Sequence, residues 1–400
     1  MHSVQGGKAP LLEADPAPVL PQEGGAGDVL LGAVHTRDGR LLKYDAHRLA
    51  SCAALLRVGG TAFAQRSLWF AALAYAALAI CAFIAFRFAA HRLELVDTAR
   101  AGEFVQGSAM FVGLLLTIHL SAAVQRWCSM RREVIGGLWS AVNDLALILA
   151  VHMPEPANRP LKTLALRYGL ASMELLGREA SIGDALLDPL RQRGLLSTNE
   201  CALLAPSPAK AQICWVWVAC AFRRLAGREL LSSRLLPQLY EICARGRGAC
   251  DRADFYGRSQ LPFAYVHLLS LLVHGTCAMV ALKCGVVAAV AVSHALRSEA
   301  IAPVSDMESA SVLVQQCALA FGVPLVYGAI LAQAAALADP LSAASSEELP
   351  RAAYRIFMRD ECEAFHTAGE NPPKAIAKAA EQATQCGGAG NWLHDLAVAV

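Results

Sequence analysis

Four stretches of this 400-residue chain carry no Asp, Glu, Lys or Arg: Leu68–Phe86, Phe104–Gln125, Ser259–Leu282 and Ala310–Ala338. Each is about 19 residues or longer, enough for an α-helix to cross ~30 Å of hydrocarbon. Lipid offers the backbone no hydrogen-bond partner, so each stretch must pair within itself, and four membrane-spanning helices are expected. The third continues past Lys283 in apolar sequence to about Leu296. Pro262 stands near its start, where a missing N–H costs nothing. Pro324, after Gly322, predicts a kink in the fourth. Composition agrees: 56% of residues are hydrophobic and 17% charged, against ~45–50% and ~25% in soluble domains.

The spans differ in character. The second carries Gln106, Ser108, Thr117, His119 and Ser121, and the third His267, His274 and Thr276. Polar side chains inside a span usually face protein or a water-filled path, so these two helices are assigned to the interior of an assembly and the first to lipid. Basic residues set the orientation. Arg126, Arg131 and Arg132 follow the second span; Arg245, Arg247, Arg252 and Arg258 precede the third; Arg351, Arg355 and Arg359 follow the fourth. Arg87, Arg92 and Arg100 between the first two spans are matched by Glu94, Asp97 and Glu103. Both termini and residues 126–258 are therefore expected on the cytosolic or equivalent side.

Residues 126–258 show helix-period patterns at Leu138–Val151, Leu161–Leu176, Ser197–Leu204, Gln212–Leu225 and Leu230–Arg245, which predicts a helical cytosolic body. Thr198 reads as an N-cap without the Glu or Gln that completes a capping box. Cys214–Phe222 is too short to span and reads as a buried cytosolic helix. Residues 1–43 and 361–400 are expected to be tails flanking one unit over 44–360, with spans near 68–88, 104–125, 259–296 and 310–338.

Several function classes have no support. A net charge of +2 gives no nucleic-acid signature. No P-loop, G-x-S-x-G, H-E-x-x-H or dinucleotide-binding glycine motif is present. No two of the 13 cysteines lie within three residues of each other, so redox and zinc-ribbon spacings are absent and the thiols read as small buried hydrophobes.

Three passages together resemble the bestrophins. One is Gln125-Arg126-Trp127 closing the second span. Another is Arg167-Tyr168, then Leu187–Leu204, then Trp215-Val216-Trp217. The third is Phe255-Tyr256 with Pro262 and Tyr265 opening the third span, preceded by Arg247. The match rests on their order and spacing against the four spans and covers roughly residues 48–360. The resemblance implies an all-α membrane protein, about four transmembrane helices continuous with a helical cytosolic body. It implies a homopentamer around a central pore for chloride and other small anions, bicarbonate among them. Counting back from Arg126-Trp127, the pore neck falls at Met110, Leu114 and Ile118, which share a helix face and in five copies form apolar rings able to gate by dewetting. Animal members carry aromatics there. The cytosolic aperture falls near Arg234, or at Ser233 with a one-residue shift. The family's calcium clasp corresponds to residues 339–348, where Asp339, Glu347 and Glu348 remain but the dense acidic run does not. Calcium takes six to eight oxygens, so calcium activation is not expected, and no cofactor is.

Two other readings stay open: a membrane redox protein ligating haem through His119, His267 and His274, and a non-conducting membrane scaffold. No particular membrane is named by the sequence, the plasma membrane and an organelle membrane such as the thylakoid both fitting.

Overall fold

The computed structural model describes residues 31–32, 43–44, 61–88, 98–155, 158–176, 187–298, 306–341, 349–376 and 378–379. Among these the architecture is helical, apart from a two-residue antiparallel pairing of Leu31–Gly32 with Lys43–Tyr44. The helices are α1 (Arg66–Phe88), α2 (Thr98–Ser129), α3 (Gly137–His152), α4 (Arg159–Leu175), α5 (Asp188–Gln192) and α6 (Thr198–Leu204). They continue with α7 (Lys210–Ala226), α8 (Leu236–Arg258), α9 (Phe263–Ser298), α10 (Asp306–Ala338) and α11 (Arg351–Glu370).

Four of them, α1, α2, α9 and α10, are long and apolar enough to cross a membrane, and the chain is an integral membrane protein. They pack as one bundle. Near the end of the bundle that joins the rest of the chain Ala123 of α2 meets Ala334 and Leu337 of α10 beside Trp127. In the middle Val112 and Leu116 meet Leu269, Val273 and Cys277 of α9. Further out Ala79 of α1, Val105, Ala281, Cys284 and Ala320 form a third layer. Small residues allow this closeness: a Cβ at Gly285 of α9 would collide with the α1 backbone at Ala79 and Phe83. Pro324 lies inside α10, which continues through it.

The spans differ from expectation at their ends. The third helix starts at Phe263, and the carbonyl of Pro262 accepts its first bonds, from Tyr265 N at 3.0 Å and Val266 N at 3.2 Å. The second does not stop at Arg126. It runs on to Ser129, through a π-helical stretch at Met130–Gly136, and directly into α3. The second span and the first helix of the body beyond it are thus one continuous rod.

Outside the four spans a helical body packs α3, α4, α7, α8 and α11 around Leu138, Val142, Leu145, Trp215, Phe222 and Met358. Trp215 lies on Gly246 of α8, where any Cβ would enter the indole ring, and its Nε1 donates to Ser172 Oγ at 3.1 Å. Cys214–Phe222 lies within α7, outside the four spans, and buries Cys214, Trp215, Val218 and Phe222 in this core. Prolines at the first turns of α4, α5 and α8 suit positions whose N–H has no intrahelical partner. The N-cap of α6 is Ser197, not Thr198. Glu200 N donates to Ser197 Oγ at 3.3 Å and Ser197 N donates to Glu200 Oε2 at 2.6 Å, a complete capping box. Helix α11 crosses the expected boundary at residue 360 and buries Cys362 and His366 in the body.

Two buried charges of this body, Glu174 and Lys162, have ion-pair partners. Glu174, 2% exposed, accepts from Arg193 at 2.7 Å and from Arg355. Lys162, fully buried, meets Glu370 at 3.2 Å. Burial pushes the thiols of Cys214, Cys243 and Cys362 up to about 12, so they stay protonated and unreactive.

Candidate functional site

Helix α2 has two unlike faces. Val105, Val112, Leu116, His119 and Ala123 are buried against α9 and α10. The opposite stripe is open: Met110 is 71% exposed, Leu114 59% and Ile118 53%. Their spacing of four puts them on one line. The same stripe carries Gly107, Thr117, Ser121 and Gln125, all exposed. Thr117 Oγ1 turns back to the Gly113 carbonyl at 2.9 Å. An apolar line interleaved with small and polar residues is unlike the outer face of α1, where Phe70, Leu73, Ile80 and Ile84 are exposed.

Arg234 lies in the 3₁₀ turn Ser233–Leu235 that opens α8, with Ser232 Oγ accepting from its backbone N at 3.4 Å. Its side chain and that of Ser233 are both exposed. Because α8 is 23 residues long, this turn sits ~35 Å along the helix from the membrane junction.

Of the clasp residues, Glu347 and Glu348 lie outside the described residues. Asp339 is exposed at the end of α10, and its carboxylate interacts with the Arg126 guanidinium.

The three histidines are engaged separately. Tyr75 Oη lies 2.9 Å from His274 Nδ1. His267 stacks on Phe263 with ring centroids 5.5 Å apart. His119 packs against Tyr265, centroids 5.8 Å apart. They do not converge on one centre.

The residues that carried the resemblance meet in space. Arg126 donates from Nη1 to the Ser259 carbonyl and from Nη2 to the Tyr256 carbonyl, closing the end of α8 with a cation where the helix dipole is negative. In return Arg252 of α8 donates to the Glu133 carbonyl within the π-helical stretch, from Nη2 at 3.1 Å and Nε at 3.3 Å. Tyr256 Oη donates to the Glu133 carboxylate at 3.0 Å. Further into the body Arg167 pairs with Glu200 at 2.7 Å, Tyr168 donates to the same carboxylate, and Tyr168 meets Trp217 edge-on with centroids 5.3 Å apart. Burial, then the Glu200 hydrogen bond, raises the Tyr168 phenol to about 12. Glu133 and Glu200 were not singled out from sequence. Glu200 was findable as the third residue after Ser197; nothing local marks Glu133.

No family model matches the sequence, and no curated protein does. Solved structures do match. A bacterial bestrophin homolog from Klebsiella pneumoniae superposes with a TM-score of 0.59 at 16% identity, covering 74% of this chain and 98% of that one. A single-site variant of that homolog gives 0.59 at 15% identity, covering 75% and 99%. A structure described as a membrane protein variant gives 0.60 at 15% identity, covering 76% and 99%. The similarity spans nearly the whole of each matched chain, so the fold of this protein, membrane bundle and helical body together, is that of the bacterial bestrophin homologs.

Proposed function

We propose that the protein is an anion channel subunit that assembles as a homopentamer around a pore lined by α2 and passively conducts chloride and other small anions, including bicarbonate. The observation that carries this reading is the open stripe of Met110, Leu114 and Ile118 on a helix whose other side is buried, within a bestrophin-like fold. Thr117, Ser121 and Gln125 on that stripe favour a water-filled path over lipid. Five copies turn the three apolar positions into three rings. Anions partly dehydrate through them, and wetting of the rings sets whether current flows. The exposed Arg234 turns supply an electropositive cytosolic exit that favours anions over cations. No calcium gate is part of the proposal.

The test is reconstitution of the full chain. Native mass spectrometry in detergent should give five copies, and liposomes holding the protein should pass chloride down its gradient. A stable monomer without chloride flux would end this reading.

A further inference from the structure

The open line of α2 runs on past the apolar positions. After Ile118 it passes Ser121, Gln125 and Cys128, all exposed, and steps of three and four residues keep them on the face of Met110 and Leu114. The next residue at that spacing is Arg132, exposed in the π-helical stretch that joins α2 to α3. The other side of that stretch, Met130, Val134 and Ile135, is buried. Gly136 and Ser140, both exposed, continue the line. Between Met110 and Ser140 Arg132 is the one charged side chain on it. Its charged neighbours are turned elsewhere. Arg126 reaches the Tyr256 and Ser259 carbonyls, Arg131 lies over the Trp127 ring at 5.6 Å from the centroid, and Glu133 Oε2 accepts from Tyr256 Oη at 3.0 Å. Among the described residues the Arg132 guanidinium has no ion-pair or hydrogen-bond partner. It stands ~21 Å along the rod from Ile118. At this level Arg252 of α8 donates to the Glu133 carbonyl, and from Arg252 back to Arg234 that helix runs ~27 Å. Arg132 therefore lies between the apolar positions and the Arg234 turn, well separated from both.

We infer that Arg132 of each copy contributes to an anion site on the body side of the neck, a cationic ring that takes small monovalent anions such as chloride once they have passed Ile118. The inference rests on the channel reading above, in which α2 lines the pore. A guanidinium stays charged and presents a fork of N–H donors. An anion that has shed water among the apolar rings would meet charge-assisted donors as it leaves them. Like charges around one lumen raise the local concentration of anions and repel cations, and their influence falls as salt screens them. The chemistry that fits the guanidinium is an anion, whether free or the phosphate of a lipid headgroup.

The experiment compares wild type, Arg132→Met, Arg132→Lys, Arg132→Glu and Cys128→Ser in planar bilayers of neutral phosphatidylcholine, each first shown to keep the wild-type oligomeric state. Arg132→Met should lower chloride current roughly threefold at low salt and much less at high salt. Arg132→Lys should keep most of the current, and Arg132→Glu should lower it further than Arg132→Met. The exposed thiol of Cys128, about one turn before Arg132 on the same line, reports independently on where the line faces. A methanethiosulfonate reagent carrying a sulfonate should lower wild-type current more than one carrying a trimethylammonium, and neither should act on Cys128→Ser. A conducting wild type matched by Arg132→Met at every salt concentration overturns the ring and leaves the channel standing. Complete labelling of Cys128, seen by mass spectrometry, without any change in current also overturns the ring, because it puts the line outside the pathway. A wild type with no anion current overturns both ring and channel. An Arg132→Met defect that appears only when phosphatidylglycerol is added assigns the guanidinium to a headgroup and likewise overturns the ring.

Discussion

The guanidinium of Arg126 donates to the main-chain carbonyl of Tyr256, 130 residues further along the chain. With the second bond to Ser259, it fastens the far end of the candidate pore helix, where α2 leaves the bundle, to the turn between α8 and α9. Charge-assisted hydrogen bonds of this kind are worth about 1.5–3 kcal/mol. Arg126→Met should therefore lower thermal stability in detergent by a loss of that order. Arg132→Met, at an exposed position nearly two turns on, should stay within about 0.5 kcal/mol of wild type. Equal melting temperatures for the two variants would show that the bonds do not hold the junction.

Ile118 is the innermost of the three positions on the open stripe of α2. If those positions are the neck, removing side-chain volume there should widen and wet it. Ile118→Ala is expected to raise basal anion current several-fold, while Leu116→Ala, buried on the opposite face, should cost about 2–5 kcal/mol of stability instead. Single-channel recording and thermal melting separate the two. An unchanged current in Ile118→Ala argues against this register.

Arg234 should act on selectivity rather than on folding. Its side chain is exposed in the turn that opens α8, so Arg234→Glu is expected to change stability by less than about 0.5 kcal/mol. Reversal potentials under a salt gradient should shift toward cations. Ser233→Glu serves as the comparison one residue away, and an unshifted potential in Arg234→Glu removes that side chain from the exit.

His366 makes the body sensitive to acid. It is 3% exposed between α4 and α11, and neither ring nitrogen has a hydrogen-bond partner among the described residues. Burial lowers its pKa below the ordinary imidazole value, and Lys162 and Arg159 act in the same sense against Glu363 and Glu370. The unfolded chain thus takes up the proton at higher pH than the folded one does. The stability from keeping this imidazole neutral is fully present above pH ~6.5 and is lost as pH falls through the lower folded value. Melting temperature should fall on acidification below that point, and the fall should be shallower in His366→Leu. Parallel pH profiles would mean that His366 stays neutral in both states.

The sequence by itself determined the membrane spans, because what lipid demands is local: about 19 or more consecutive residues without charge. It also marked Cys214–Phe222 as a buried helix too short to span, and the order of Arg126-Trp127, Tyr168, Trp215 and Tyr256 pointed to the fold that the structure has. The tertiary structure decided the rest. Arg126 to Arg132 look like the end of a span, yet the helix passes through them because Arg252 and Tyr256, far along the chain, occupy the carbonyl and carboxylate of Glu133 in the π-helical stretch. His366 lies in what reads as a tail and is buried because α11 docks on α3 and α4. Lys283 reads only as an interruption of an apolar run. What sets its place beside Gly102 is the packing of α9 on α2, and contacts between residues so distant in sequence leave no local pattern from which they can be read.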